Sequence, residues 1–292
     1  GNLWYGITDH QAFGHLLDLT LVRSYNSYDT LIDGPFGRGW TSNLLLDYNV
    51  VYDQALNTRQ ILNPSLNAYR TGLDLTWAPR GIVTFTTPSG SRHVFASDDD
   101  AFEAGVLRSV NMPGWTLTHA DYRAQEWLLQ QDTGLTYAFD RAGRLLRYGY
   151  PDRNRMMYIT YPSANLNAPG NIGQNLVTVT DTPEGVQPLR RIELYFNPTH
   201  QVIFSVLRDL SNYDAGQLSS LDATLSSLVQ QMPQSITNAD VQCDTNDNCY
   251  GIAYRYTTSP DGATLLTGVD YADGLSASYQ YDNQNRLVWH DD

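Results

Sequence analysis

The chain of 292 residues carries 18 basic and 31 acidic side chains, a net charge of −13, two cysteines and 41% hydrophobic residues. That apolar share suffices for one large globular unit or two modest ones and excludes disorder as the main state. The charge disfavours partners held by phosphate neutralisation, nucleic acid and anionic membranes alike, and no apolar run approaches the roughly 20 residues of a membrane span.

All 18 basic residues are arginine, and Asp supplies 27 of the acids against 4 Glu. Good helix formers are therefore scarce. Asp, Asn, Gly and Pro favour turns and the 20 Tyr favour strands, so the composition points to many short strands joined by tight turns. The opening Gly1-Asn2-Leu3-Trp4 has no Met, no charged stretch and no apolar signal core. Neither an anchor nor a surviving export signal is expected, and a start at Gly1 suggests a chain processed, trimmed or excised from something longer.

In chain order, residues 16–25 alternate so that Leu17, Leu19, Leu21, Arg23 and Tyr25 share one face of a half-buried strand. Glycines 34, 37 and 39 surround Phe36 and Trp40, a sharply turned loop anchored by its rings. Alternating segments at 44–52, 58–62, 81–87 and 91–96 predict a hairpin meander. Further strands are predicted at 115–119, 126–131, 136–139, 144–148, 156–161, 176–181, 191–196 and 202–207, and again at 251–257, 265–271, 276–281 and 286–289. Between these two groups, Leu218, Leu221, Leu225, Leu228 and Val229 form the stripe of an amphipathic helix over 214–231, docked by its leucines.

Cys243 and Cys249 enclose five polar residues, a spacing that lets the sulfurs meet across a turn, as exported chains commonly do. Zinc would have only two thiols and no nearby histidine, and C-x5-C is not the two-spaced redox motif.

Two stretches repeat a pattern, Tyr137-Ala138-Phe139-Asp140-Arg141-Ala142-Gly143-Arg144-Leu145 and Tyr279-Gln280-Tyr281-Asp282-Asn283-Gln284-Asn285-Arg286-Leu287. The aromatics two apart lie on one sheet face, Asp opens a turn by bonding its own backbone, and Gly or Asn accepts the left-handed conformation that closes it. Arg144 and Arg286 then start return strands, where a guanidinium can stack on a ring. Degenerate copies are expected at 195–202 and at Tyr254-Arg255-Tyr256, the latter with a longer turn at Pro260-Asp261-Gly262.

This pattern resembles the YD repeat of Rhs-type proteins, bacterial shells related to teneurins and to the C components of toxin complexes. The stretch Arg23-Ser24-Tyr25-Asn26-Ser27, followed by Gly34-Pro35-Phe36-Gly37-Arg38-Gly39-Trp40, is similar to the entry segment that precedes those repeats. The resemblance covers the ends of the chain well and leaves 50–125 and 209–250 matched only in hairpin style. It implies an all-β fold of stacked antiparallel hairpins in a curved or spiralling sheet. The expected division is an entry segment and meander at 1–125 and a repeat sheet at 126–292, with the helix and cysteine loop inserted at about 209–250.

Candidates for chemistry are few. His10 and His15 are spaced for neither a helical pair nor one strand face. Asp244-x-Asn246-x-Asn248 begins like a calcium loop, but Cys249 stands where glycine is required. Asp98-Asp99-Asp100 reads as a solvated loop that could hold a hard cation. No catalytic residue, cofactor or metal site is expected. The leading expectation is a noncatalytic, exported scaffold, extracellular or at the cell surface, part of a shell for encapsulation or assembly. Its partners would be other copies or other parts of the shell, joined through sheet edges, and an enclosed toxin. The alternatives are an adhesion module binding glycans or a protein receptor, and a carbohydrate-active enzyme.

Overall fold

The computed structural model describes residues 3–13, 17–27, 33–44, 81–86, 92–97, 106–109, 113–119, 126–140, 145–161, 176–182, 186–231, 235–243 and 248–291. The strands expected at 44–52 and 58–62, the turn residues Gly143 and Arg144, His15, and the acidic clusters at 98–100 and 244–247 lie outside these residues. The chain groups into two compact units, one made of Gly1–Leu44 with Met156–Asp292 and the other of Leu45–Arg155. Within the first unit the entry segment packs against strands more than a hundred residues later in the chain.

The first unit opens with β1 (Trp4–Ala12), β2 (Leu19–Asn26), β3 (Asp33–Gly34), β4 (Gly37–Arg38) and β5 (Trp40–Ser42). Strands β1, β2 and β5 form an antiparallel sheet in that order, and β3 pairs with β4. On β2, Leu19, Leu21, Arg23 and Tyr25 are all fully buried, as the alternation requires. Strand β1 has no clean sequence pattern. Its register with β2 slips between Thr8 and His10, a bulge at Asp9 that turns two consecutive side chains, Asp9 and His10, into the interior.

The second unit contains β6 (Gly81–Thr86), β7 (Arg92–Ser97), β8 (Val106–Ser109), β9 (Trp115–His119), β10 (Glu126–Gln131), β11 (Thr136–Asp140) and β12 (Leu145–Tyr150), each antiparallel to the next. Phe95, Leu107, Leu117, Leu129, Phe139 and Leu145, at least one on each strand from β7 to β12, are almost completely buried.

The first unit resumes with β13 (Arg155–Thr160), β14 (Leu176–Thr180), β15 (Arg190–Phe196), β16 (Val202–Asp209), helix α1 (Ala215–Gln230), β17 (Cys249–Thr258), β18 (Thr264–Tyr271), β19 (Ser276–Tyr281) and β20 (Leu287–Asp291). These eight strands lie in sequential antiparallel order, so the described residues form an all-β fold with one α-helix, built from stacked hairpins in an open sheet.

Five turns, at 131–135, 197–201, 259–263, 271–275 and 282–286, share one bond pattern. The first residue's N–H reaches the fifth residue's carbonyl, and the fourth residue's N–H reaches the first's. The fourth residue has positive φ each time: Gly134, His200, Gly262, Gly274 and Asn285. This is a type I turn closed by a left-handed residue. At three of these turns an aromatic pairs with a buried aliphatic and the register slips by one, Phe196 with Val202, Tyr256 with Leu266 and Tyr281 with Leu287, and the β11–β12 hairpin shows the same slip at Phe139 and Leu145. The repeat is therefore a turn plus a bulge, and both degenerate copies at 195–202 and 254–256 belong to it.

Helix α1 is the exception among the described elements. Asp214 and Gln217 form a capping box, and Leu221, Leu225 and Val229 pack with Tyr195, Phe204, Val206 and Leu210. Phe204 and Val206 point to the helix while Ser205 points the other way, towards β1, so the sheet is covered on both faces there. That is why β15 and β16 are buried almost continuously instead of alternating.

Candidate functional site

The densest polar arrangement lies where the entry segment meets the sheet of the first unit. Arg23 on β2 and Asp9 on β1 form a two-pronged ion pair with no exposure on either side chain, Nη2 to Oδ1 at 2.8 Å and Nε to Oδ2. Four rings surround the guanidinium carbon: Trp40 at 5.2 Å, Tyr254 at 5.3 Å, Phe36 at 5.8 Å and Tyr279 at 5.9 Å. Ring faces and the carboxylate replace the water a buried cation gives up. Burial alone would lower the pKa of Arg23, but the neighbouring Asp9 charge and hydrogen bonds hold it well above its ordinary value.

A hydrogen-bonded chain leads on from Asp9. The Tyr254 hydroxyl donates to Asp9 Oδ2 at 2.8 Å, Ser205 Oγ lies 2.9 Å from the Tyr254 hydroxyl, and His10 Nε2 lies 2.8 Å from Ser205 Oγ. Burial pushes the His10 pKa down to about 4. The same burial raises Tyr254 far above a normal phenol, reinforced by the Asp9 charge. Ser205 is 0% and His10 2% exposed, so this serine–histidine pair is closed to any substrate and works as a structural bond.

The motif residues of the entry segment dock on the motif residues of the repeats. Tyr25 accepts the backbone N–H of Leu287 at 2.8 Å, and Trp40 donates its indole N–H to the Tyr281 hydroxyl at 2.9 Å. Trp40 also lies edge-on to Tyr25 and Tyr279, each with centroids 5.3 Å apart, and Phe36 edge-on to Tyr254 at 5.1 Å. Gly37 and Gly39 both have positive φ, and a Cβ on Gly39 would lie 2.7 Å from the Tyr25 ring. The backbone N–H of Asn26 reaches the Gly39 carbonyl, and Ser27 bonds Leu3 through both its hydroxyl and its backbone. Outside the core, Asp33 accepts the Thr264 N–H at 2.9 Å, and Arg38 reaches Asp261 at 3.2 Å. Asp261 also accepts from the Ser259 hydroxyl and the Asn285 amide, which hold its pKa at about 2.

Within the last repeat, Asp282 accepts the N–H groups of Gln284 and Arg286, both at 2.9 Å, as an Asp-initiated turn should. Arg286 is half-exposed and pairs with Asp282 across the turn at 2.6 Å, because the αL residue Asn285 brings the two side chains back together. In the other copy, Tyr137 stacks with Phe139 and Tyr148, with centroids 6.5 and 6.0 Å apart. Asp140 closes β11, and Leu145 is buried at the start of β12.

A second buried charge lies on β15. Glu193 accepts from Arg208 through both oxygens at 3.0 Å, from Arg191 at 2.8 Å and from the Tyr195 hydroxyl at 2.8 Å. Burial alone would raise its pKa, yet the two guanidinium groups hold it below the usual carboxylate range. Arg208 also donates to the carbonyls of Val241 and Gln242, and Arg191 to Asp222 on α1 at 2.6 Å. Cys243 and Cys249 are joined in a disulfide beside Arg208. Asp9, Ser205 and Arg208 carry no local sequence signal, since their partners lie 14 to 245 positions away.

A family model described as a domain of unknown function, DUF6531, matches residues 1–60. No curated protein matches the sequence. Among solved structures 17 chains match. One, titled crystal structure of TcdB2-TccC3-TEV, aligns over 90% of this chain at 12% identity with a TM-score of 0.46. This chain spans 15% of that one's length.

Proposed function

We propose that this chain is a noncatalytic scaffold of the Rhs/YD-repeat kind, an exported segment of a β-shell used for encapsulation or extracellular assembly. The observation that carries the reading is the docking of one motif on the other: Tyr25 and Trp40 of the entry segment bind Leu287 and Tyr281 of the last repeat. These residue types answer one another, so the entry motif acts as the cover of a repeat sheet. Asp9, Arg23 and His10 of the entry segment each bond to one another or to the sheet, as expected of a structural joint. The Cys243–Cys249 disulfide supports an oxidising destination.

The test is the particle formed in the native source. Size-exclusion chromatography with light scattering and electron microscopy should find the sequence within a larger hollow or ordered assembly. A monodisperse 32.8 kDa monomer that enters no larger particle would overturn the proposal.

A further inference from the structure

The hydrogens of the buried chain can be assigned one by one. Tyr254 gives its only hydroxyl proton to Asp9, so Ser205 must donate to Tyr254 for their 2.9 Å contact to be a bond. Ser205 then accepts from His10, which fixes neutral His10 with its proton on Nε2. His10 Nδ1 is left as a bare acceptor, buried and with no hydrogen-bond partner among the described residues. A proton added there becomes a donor with nothing to receive it, in a place closed to water.

Among the described residues the surrounding charges offer no relief. On β1 the adjacent Asp9 is already occupied by both prongs of Arg23 and by Tyr254. Arg23 on β2 is a fully buried cation. From β16 the chain presents the neutral Ser205, and from β17 Tyr254 and the edge of Tyr250, whose ring centroid is 6.1 Å from that of His10 and whose own neighbouring charge is Asp273. With Asp9 and Arg23 balancing each other, protonated His10 would be an uncompensated second cation.

We propose that the entry segment formed by β1, β2 and β5 is an acid-released latch, docked on the sheet while His10 is neutral and freed when His10 Nδ1 takes up a proton. Release uncovers the face of β16 and β17 that carries Ser205 and Tyr254. The helix-covered face holds its own apolar core, so the sheet stays folded. The direction follows from linkage. A histidine whose folded pKa lies below its unfolded value binds more protons when undocked, so the docked state weakens as pH falls below about 6.5. The drop from 6.5 to about 4 corresponds to a bias towards release of roughly 150-fold at pH 4, rising towards roughly 300-fold below pH 3.

Hydrogen exchange on the full chain, corrected for the intrinsic pH dependence of exchange, reads the latch directly. Between pH 7 and pH 3.5 the amides of β1, β2 and β5 should lose protection by two orders of magnitude or more relative to those of β15 and β16. Equal protection ratios at the two pH values, or loss of both sets at one midpoint, would overturn the proposal. In the variant His10→Gln, whose amide can reach Ser205 without titrating, the entry segment should stay docked to lower pH. An unchanged midpoint in that variant would assign the effect to another group and sink the latch. If His10→Gln does not fold, 15N NMR of the histidine rings in the unaltered chain decides. His10 must gain its second ring proton at the same pH at which β1 loses protection, and a His10 that protonates with β1 still protected would overturn the latch.

Discussion

Tyr25 and Leu287 are 262 positions apart, and the Tyr25 hydroxyl accepts the Leu287 backbone N–H at 2.8 Å in a buried setting. Each belongs to a separate motif, one near the start of the chain and one near its end. Leu287 is also the residue at which the last hairpin slips register, so its N–H is not committed to a plain ladder. The entry segment thus reads a backbone group that a repeat hairpin leaves open.

Replacing Tyr25 with Phe keeps the ring over Gly39 and its edge-on packing with Trp40 and removes only the acceptor. The Leu287 N–H is then buried without a partner, which costs about 1–3 kcal/mol. Urea unfolding should give that loss with an unchanged m-value, and hydrogen exchange should show faster opening at Leu287.

Two glycines with similar backbone angles should respond differently to alanine. At Gly274, φ is +85° and a Cβ meets nothing within 4 Å, so Gly274→Ala bears only left-handed strain, about 1 kcal/mol. At Gly39, φ is +77° and the Cβ would lie 2.7 Å from the Tyr25 ring, which is itself clamped between Trp40 and Leu287. Gly39→Ala should therefore lose at least twice as much, measured by thermal or urea unfolding, and should loosen β5.

Removing one side of the Asp9–Arg23 pair strands the other charge in a sealed interior. Asp9→Leu or Arg23→Met alone should destabilise by about 3–5 kcal/mol. The double variant should lose much less than the sum of the two, since no lone charge remains. Additive losses in that double-mutant cycle would mean that the residues act independently.

The disulfide closes only a short loop, and its removal should cost about 2 kcal/mol. Arg208 still holds the Val241 and Gln242 carbonyls, and the leucine stripe still holds α1. A Cys243→Ser, Cys249→Ser variant should therefore keep its helical circular dichroism at 25 °C while unfolding at lower urea concentration.

Period-two alternation and the helical stripe were enough to locate β2, β9, β10, most of the strands after residue 135, and α1 within a residue or two of its ends. They succeeded because each such element has one face against a core of its own unit. Strand β1 escaped because the bulge at Asp9 breaks the alternation, and a bulge has no residue signature of its own. The turn logic of Asp282 and Asn285 was legible because it is local chemistry. The Arg23 centre was half legible: Arg23 stood out on an apolar face, while Asp9 and Ser205, 14 residues before it and 182 after, did not.

Glu193 should reveal its two arginines through pH. Its folded pKa lies below its unfolded value, so its contribution is fully present above about pH 4.5 and is lost as pH falls through the lower folded value. Glu193→Gln leaves Arg208 buried at 1% exposure beside a neutral amide, while Arg191 keeps Asp222. At pH 7 the variant should be less stable by about 3 kcal/mol, the loss expected for an uncompensated buried charge. Below pH 4.5 the gap between the two proteins should close, because protonation neutralises Glu193 in the original chain as well. The difference between the two urea-stability curves isolates this group from the His10 effect, which both proteins share. A gap that stays constant from pH 7 to pH 3 would show that Glu193 contributes through shape and hydrogen bonding and not through its charge.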